Sequence, residues 1–453
     1  AAWLFERGFD GPLADLVPPP DAPALTVAAV AAFLLAPAFL SGFSVPLFSM
    51  RVRDAKRQGE GGLAHVYVAY NAAAAACVLA LEFGLVRQFG VADTLRLLGG
   101  LNLVVATVVW LSGDSGRRER PGDRVGTRLA TAVFVAGVAS AVYQMSLLEF
   151  ANEVFGPFNE NVAVVLAVAL FGLALGTVAA KRAAWSLRGV LVASGVCAAG
   201  SYVVSGAVLW VWGTFAPLEW TSLPLLKTAL VFALSVAPFM AFGAVVPAAV
   251  GKGEESDPAP GRILCMSASG NAAGFLAAAL MLRETVPDAW MGAVAGGLAV
   301  SASAFVGSVS FRSASGFAGA ALLAVLVWPS ERLALGYQSL SDKMLAGFML
   351  DRVAEIETYA ALTGELSVLR HGDGTMSFVL NGNSGVGVSR GGMDLQETLV
   401  GLAPALYAAS PDSAIVLGMG TGVSASAARE SFRDVTVVDS SPLLAETLPL
   451  FSE

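Results

Sequence analysis

Long apolar runs separated by short polar loops fill the first three quarters of the chain. A helix needs about 20 apolar residues to cross a bilayer core of about 30 Å. Several runs reach that length, so we predict ten transmembrane helices, of which the third and the last are short. They are Ala24–Phe43, Val66–Val86, Leu97–Leu111, Ala130–Leu148, Val162–Ala180, Gly189–Trp212, Leu223–Val250, Ile263–Leu282, Trp290–Val309 and Ala314–Val327.

Lysine and arginine are concentrated in alternate loops. Basic clusters follow the first, third and fifth predicted helices, at Arg51–Arg57, Arg117–Arg128 and Lys181–Arg188. The intervening loops Glu149–Asn161 and Thr214–Thr221 are acidic or aromatic. Because basic residues mark cytoplasmic loops, we expect the basic loops inside and the others outside. The pattern predicts an integral membrane protein, which we expect in a bacterial inner (plasma) membrane.

The membrane region contains an internal repeat. Ala36–Phe48 (APAFLSGFSVPLF) resembles Ala237–Ala249 (APFMAFGAVVPAA), and Val68–Glu82 resembles Ser267–Met281 at an offset of about 200 residues. Repeats of this size are typical of transporter-like folds.

Small residues recur at four-residue spacing within the predicted helices. This spacing allows the backbones of neighbouring helices to approach closely, so we predict tight helix packing. The pairs are Gly172 and Gly176, Gly270 and Gly274, and Gly292 and Gly296.

Polar side chains inside the membrane are costly unless they are paired. Two interpretations remain open for them: a polar path or substrate pocket at the repeat interface, or hydrogen bonds between helices with charged groups at helix ends. The candidates are Asn71, Glu82, Tyr143, Gln144, Glu149, Lys227 and Asn271.

Composition supports the membrane assignment. Of the 453 residues, 56% are hydrophobic and 14% are charged, against about 25% charged in soluble domains. The net charge of −8 argues against a nucleic-acid partner. Two histidines far apart and three cysteines in apolar runs, without metal-ligand spacing, predict neither a metal site nor a disulfide framework.

Three regions follow from this pattern. We expect an extramembrane segment at 1–23, a transmembrane domain at 24–329 and a more polar domain at 330–453. The first residue is alanine, and the last recognisable strand lies shortly before Glu453, so we expect the sequence to be incomplete at both ends.

The C-terminal domain begins with a predicted hairpin. Leu366–Arg370 and Thr375–Asn381 alternate as strands do, and His371–Gly374 supplies the turn. A helix is predicted over Asp394–Ala408. One face of that helix carries Leu395, Leu399, Leu402 and Leu406.

A glycine-rich turn follows. The sequence predicts a strand at Ala414–Leu417, a turn from Gly418 to Gly422, a helix at Val423–Ser431 and a strand at Val435–Val438. Glycines at Gly418, Gly420 and Gly422 let the backbone bend sharply and approach a ligand. Asp439 follows the second strand, 21 residues after the first glycine, where a carboxylate accepts hydrogen bonds from ribose hydroxyls. A similar turn that binds no ligand is the alternative.

The glycine turn with an acid closing the next strand resembles the methyltransferase-like fold. The surrounding motifs are similar to spermidine synthase homologues, and most similar to the branch in which that domain is fused to a multi-spanning membrane region. The similar segments cover about Ala130 to Pro442: Gly137–Phe150, Leu166–Arg182, Gly261–Phe275, Phe378–Gly387, Met393–Leu406, Ile415–Gly422 and Val437–Pro442.

The resemblance implies a fold and a site. The fold is a polytopic α-helical membrane domain with an internal repeat, a small β-hairpin region, and a truncated Rossmann-like α/β domain of the methyltransferase type. Decarboxylated S-adenosylmethionine or S-adenosylmethionine would be the cofactor, without a metal. Gly418, Gly420 and Gly422 would frame it, and Asp439 would hold the ribose. Asp394 and Gln396 match the family's helix that lines the site.

The reaction implied is transfer of an aminopropyl group to a small amine such as putrescine. The chain lacks the glutamine that soluble spermidine synthases carry after their DG turn, and their Tyr-His pair around Glu397–Val400. The resemblance therefore names no catalytic residue.

The predicted topology leaves a second function open. If Ala314–Val327 crosses the bilayer, the C-terminal domain lies outside the cytoplasm, away from S-adenosylmethionine metabolites. The chain would then be a catalytically degenerate, transporter-like or scaffold subunit of a membrane protein complex. If that segment lies in the interface, the domain is cytoplasmic and catalysis stays open.

Overall fold

A computed structural model describes most of the chain. The described residues are 62–111, 126–155, 159–183, 185–215, 223–250, 260–282, 285–286, 288–307, 311–327, 353–361, 364–372, 374–380, 383–384, 395–439, 443–445 and 447. The predicted extramembrane segment 1–23, the first predicted helix, Ala24–Phe43, and Asp394 lie outside these residues.

The first part of the described chain is helical. Its helices are α1 (Gly62–Ala80), α2 (Val86–Leu111), α3 (Thr127–Phe155), α4 (Asn159–Ala183), α5 (Leu187–Gly200), α6 (Ser205–Phe215), α7 (Leu223–Gly243), α8 (Val245–Val250), α9 (Pro260–Ala277), α10 (Asp288–Ala304) and α11 (Phe311–Leu326). Two π-helical turns, Leu81–Leu85 and Ala278–Leu282, extend α1 and α9, and a 3₁₀ turn, Ser201–Val204, joins α5 to α6.

Six helical runs are long and apolar enough to cross a membrane. They are Ala64–Val105, Thr127–Asn152, Asn159–Ala183, Leu187–Trp212, Pro224–Val250 and Gly261–Leu282. These lengths are compatible with the predicted integral membrane protein. The ninth and tenth predicted spans correspond to shorter apolar helices, Trp290–Ala304 and Ser313–Leu326.

The second and third predicted spans form one helical run. The polar stretch between Val86 and Leu97, predicted as a loop, is helical on both sides of Gly90, whose φ of 72° and ψ of 172° break the helix. The predicted break between the two spans is therefore present but limited to one residue, and the charged residues of this stretch lie on an exposed helix surface. Arg96 pairs there with Asp93 at 2.7 Å, one turn away.

Glycines bring the helices into backbone contact, which confirms the predicted tight packing. A Cβ atom on Gly176 of α4 would overlap the carbonyl oxygen of Met240 on α7. A Cβ atom on Gly270 of α9 would likewise meet the backbone of Phe134 on α3. Gly296 of α10 lies against the backbone of α5 at Gly195. Three helix pairs therefore approach more closely than any larger residue would allow.

The C-terminal part contains two sheets. The first is antiparallel in the order β1 (Val353–Ala361), β2 (Gly364–His371), β3 (Met376–Leu380) and β4 (Asn383–Ser384). The second pairs β5 (Ser413–Leu417) with β6 (Asp434–Val438) in parallel. Helix α12 (Leu395–Leu402) precedes β5, and helix α13 (Val423–Ser431) connects β5 to β6.

The predicted hairpin is confirmed. Strands β2 and β3 pair from Arg370 with Met376 to Leu366 with Leu380, and the Gly374 N–H donates to the His371 carbonyl across the turn. Strand β1 (Val353–Ala361) was not predicted, because its two glutamates are unusual in a strand. In the structure both glutamates face Arg370 on the neighbouring strand.

The helix predicted over Asp394–Ala408 is shorter in the structure. Helix α12 ends at Leu402, and a 3₁₀ turn, Ala403–Leu406, follows because Pro404 cannot continue the α-helical hydrogen bonding. Its leucine face is not buried among the described residues: Leu395 is 66% exposed and Leu406 is 81% exposed.

We expect Gly176→Ala to lower the stability of the protein in detergent by about 1–3 kcal/mol, because the new methyl group overlaps the α7 backbone. Gly99→Ala is the matched control, since a Cβ atom at this helical glycine meets no atom within 4 Å. Thermal unfolding of the two variants measures the difference. Equal stability of both variants would contradict the close contact between α4 and α7.

Candidate functional site

The glycine turn connects the end of β5 to the start of α13. Gly418, Gly420 and Gly422 have φ angles of 87°, 52° and 84°, in the left-handed region that favours glycine. A Cβ atom built at any of the three would have no atom of the described chain within 4 Å. The turn is therefore open on the side where side chains would otherwise project, and a ligand can approach its backbone.

Asp439 lies beside this turn, as its position after β6 predicts. Because β5 and β6 are parallel, their carboxyl ends meet at the same edge of the sheet. The exposed Asp439 carboxylate accepts a hydrogen bond from the Met419 N–H at 2.6 Å, and the Gly418 N–H donates to the Val438 carbonyl. The structure thus brings together the three glycines and the acid.

Helix α12 supports the turn from the other side. The Thr421 hydroxyl donates to the Glu397 carboxylate at 3.2 Å, and the Ser424 hydroxyl donates to the Glu397 carbonyl at 3.0 Å. Gly401 allows this contact, because a Cβ atom there would overlap the Ser424 carbonyl oxygen. Gln396 lies on the same helix, one residue before Glu397.

Sequence reasoning missed Glu397. Glu397 could have been identified, because it is an acidic residue three positions after Asp394 on the predicted helix that the resemblance placed at the site.

The hairpin sheet shares a small apolar core with the glycine turn. Leu366 and Val368 of β2 are buried with Leu443 and Leu444, and Met419 of the turn packs against this cluster. Tyr359 also packs there. Its hydroxyl donates to the Glu357 carboxylate at 2.8 Å, and that hydrogen bond, with burial as a smaller cause, raises the tyrosine pKa above its ordinary value. The phenol therefore stays protonated at neutral pH.

A second polar site lies in the helical part. Lys227 of α7 is 3% exposed, and its ammonium lies 2.5 Å from a carboxylate oxygen of Glu160, in the first turn of α4. The other oxygen of Glu160 accepts from Arg87 at 2.9 Å. The Lys227 ammonium also lies 5.8 Å from the ring centres of Phe155 and Trp212. Two cations thus contact one carboxylate, and two aromatic rings lie beside the ammonium of one of these cations.

Two other polar residues predicted in the membrane, Tyr143 and Asn71, hydrogen-bond between or within helices. Tyr143 donates to the Ser201 hydroxyl at 3.0 Å, and the Asn71 amide donates to the Tyr67 carbonyl at 2.8 Å. These contacts favour the interpretation of interhelical and intrahelical hydrogen bonding for these two residues. Asn271 differs, because it lines a cavity.

No family model, no curated protein and no solved structure matches this chain.

We expect Glu160→Gln to destabilise the protein by about 3 kcal/mol, because it removes the negative charge 2.5 Å from the buried Lys227 ammonium. Lys227→Met is the matched variant. It should cost less, since Glu160 keeps Arg87 as a partner and the methionine fills the space. Thermal unfolding of both variants and of the double variant measures the coupling. A Lys227→Met protein less stable than Glu160→Gln would contradict this description of the ion pair.

Proposed function

We propose that this integral membrane protein carries a nucleoside-binding domain of the spermidine synthase type, which binds decarboxylated S-adenosylmethionine or S-adenosylmethionine. One observation carries the proposal. Three glycines with left-handed backbone angles form an open turn beside a carboxylate at the end of the neighbouring parallel strand.

The arrangement suits a nucleoside for two reasons. An open glycine backbone at the carboxyl end of parallel strands is where α/β proteins bind nucleotides. A carboxylate at the end of the second strand accepts hydrogen bonds from both ribose hydroxyls. The β5–α13–β6 unit, with α12 fixed against it by Glu397 and Gly401, supports the proposal of a Rossmann-like domain of the methyltransferase type.

The reaction we propose is a direct displacement at carbon. The nitrogen of a small amine attacks the methylene carbon next to the sulfonium, the carbon–sulfur bond breaks, and the neutral thioether leaves. The amine loses a proton to the surroundings. Such a reaction requires orientation of the two substrates and a deprotonated amine rather than a covalent intermediate. Within the described residues, the glycine turn and Asp439 would hold the nucleoside, and no residue is assigned to proton transfer.

A second function is supported by the role of Asp439 within the turn. Its carboxylate accepts from the Met419 N–H, so it has a structural function that persists without a nucleoside. On this alternative the chain is a transporter-like or scaffold subunit of a membrane complex, with a degenerate C-terminal domain. The proposed internal repeat agrees with it, because α1 and α9, the helices at an offset of about 200, each continue into a π-helical turn.

Binding of decarboxylated S-adenosylmethionine and of S-adenosylmethionine to the full chain in nanodiscs tests the nucleoside proposal. We expect Asp439→Ala to weaken binding about 10- to 100-fold, the usual effect of losing hydrogen bonds to a charged group. Asp434→Ala is the matched control, because Asp434 lies at the amino end of β6, whereas Asp439 lies at its carboxyl end beside the glycine turn. Asp439→Asn separates the two roles of the carboxylate: the amide oxygen still accepts from Met419, but the charge is lost.

Two results would overturn the nucleoside proposal: no binding of either ligand to the wild-type chain, or equal binding by the Asp439→Ala and Asp434→Ala variants. Both would favour the scaffold alternative.

The side of the membrane on which the C-terminal domain lies separates the two functions further. We expect a cysteine at the exposed position Ser410 to be protected from a membrane-impermeant maleimide in intact cells and labelled after lysis, as an enzyme using a cytoplasmic metabolite requires. The native cysteines lie in apolar helices and are replaced by alanine as the control background. Labelling in intact cells would place the domain outside and favour the scaffold.

A further inference from the structure

A small cavity lies inside the helical part, between helices of the two proposed repeats. It measures about 30 Å³, enough for a water molecule or one small polar group. Tyr67 of α1, Ser140 of α3, and Ser267 and Asn271 of α9 supply its polar lining. The rest of the lining is apolar, with Phe242 at the end of α7 among it.

The lining combines donors and acceptors without charge. Tyrosine and serine hydroxyls both donate and accept hydrogen bonds, and an asparagine amide offers one oxygen and one NH₂ group. The described residues that line the cavity include no acid, no lysine and no arginine. An ion would lose its hydration there without a counter-charge, which is costly in a low-dielectric interior. The chemistry therefore favours an uncharged polar ligand.

A helix with one missing backbone hydrogen bond forms one wall of the cavity. Helix α7 ends at Gly243 and α8 begins at Val245, and both Val245 and Val246 line the cavity. Pro247 has no N–H to donate to the Gly243 carbonyl, and the buried Thr177 hydroxyl of α4 lies 3.1 Å from that oxygen instead. This wall of the cavity therefore contains a carbonyl that bonds to a side chain of another helix instead of to its own helix.

The cavity lies near one end of the helices. Tyr67 is in the second turn of α1, and Ser267 is two turns from the start of α9. Basic residues precede α1 in the sequence, at Arg51–Arg57. Solutes would therefore enter from the side of the basic loops.

We propose that this cavity is a binding site for a small uncharged solute with hydroxyl or amide groups, reached by water from the basic-loop side. The proposal extends the transporter-like alternative and rests on the helical part alone. If the cavity binds no solute, the nucleoside proposal is unaffected. If the C-terminal domain binds no nucleoside, the cavity proposal is unaffected.

Cysteine accessibility tests the proposal on the full chain in inside-out and right-side-out vesicles. Cys77, Cys197 and Cys265 are first replaced by alanine, and Ser267→Cys is then introduced. The probe is 2-hydroxyethyl methanethiosulfonate, an uncharged reagent with a hydroxyl group, which reacts with hydrated thiols. Ser269→Cys is the matched control, because Ser269 lies on the same helix at nearly the same depth but is exposed on its outer surface.

We expect Ser267→Cys to react at least about tenfold faster than Ser269→Cys, and faster when the probe is added from the basic-loop side. Acetamide and glycerol should slow this reaction, whereas sodium acetate at the same concentration should not. Ser140→Cys, on the opposite wall, serves as the second variant if Ser267→Cys does not fold. Asn271→Leu should block the reaction of Ser140→Cys, because the leucine fills the cavity and removes the amide.

Equal reaction rates for Ser267→Cys and Ser269→Cys, or equal protection by sodium acetate and acetamide, would overturn the proposal. The first result would mean a dry cavity, and the second would mean that no uncharged ligand is selected.

Discussion

Close backbone contact between helices is the constraint on which the helical part depends. Lipid offers no hydrophobic force that pushes apolar helices together, so they associate where their surfaces fit closely. Gly176 against Met240 and Gly270 against Phe134 bring the backbones of two helix pairs together. Because those contacts fix where each helix lies, they also fix the ion pair of Glu160 with Lys227 and the cavity beside Asn271.

The C-terminal part follows a different principle. The glycines of the turn, Gly418, Gly420 and Gly422, have open space around them. They allow the backbone to bend and do not bring two helices together. Gly401 is the exception, because it lets α12 pack against the first turn of α13 and places Glu397 beside Thr421. The same residue type thus has two functions in this chain: contact in the helical part and curvature at the candidate site.

Local patterns could be predicted from the sequence, and contacts between distant residues could not. The helix Val423–Ser431 and the hairpin turn were predicted because period and turn residues are local signals. Asp439 was predicted beside Gly418 because the carboxyl ends of parallel strands meet. Glu160 was not singled out as the partner of Lys227, since they are 67 residues apart and only packing brings them together. A break between Val86 and Leu97 was predicted, but its position at the single residue Gly90 was not, because hydropathy does not report backbone angles.

Gly90 also limits how far the protein can extend from the bilayer. The apolar run Ala64–Val105 has 42 residues, and an uninterrupted helix of that size would be about 63 Å long. The membrane with its headgroups is about 40–45 Å thick, so a straight rod would carry apolar leucine and valine side chains well into water. The kink at Gly90 divides the rod into a part of about 39 Å before it and a part of about 23 Å after it, so neither part is longer than the membrane is thick. Any residue with a β-branched side chain at this position would favour the straight rod and expose its apolar end.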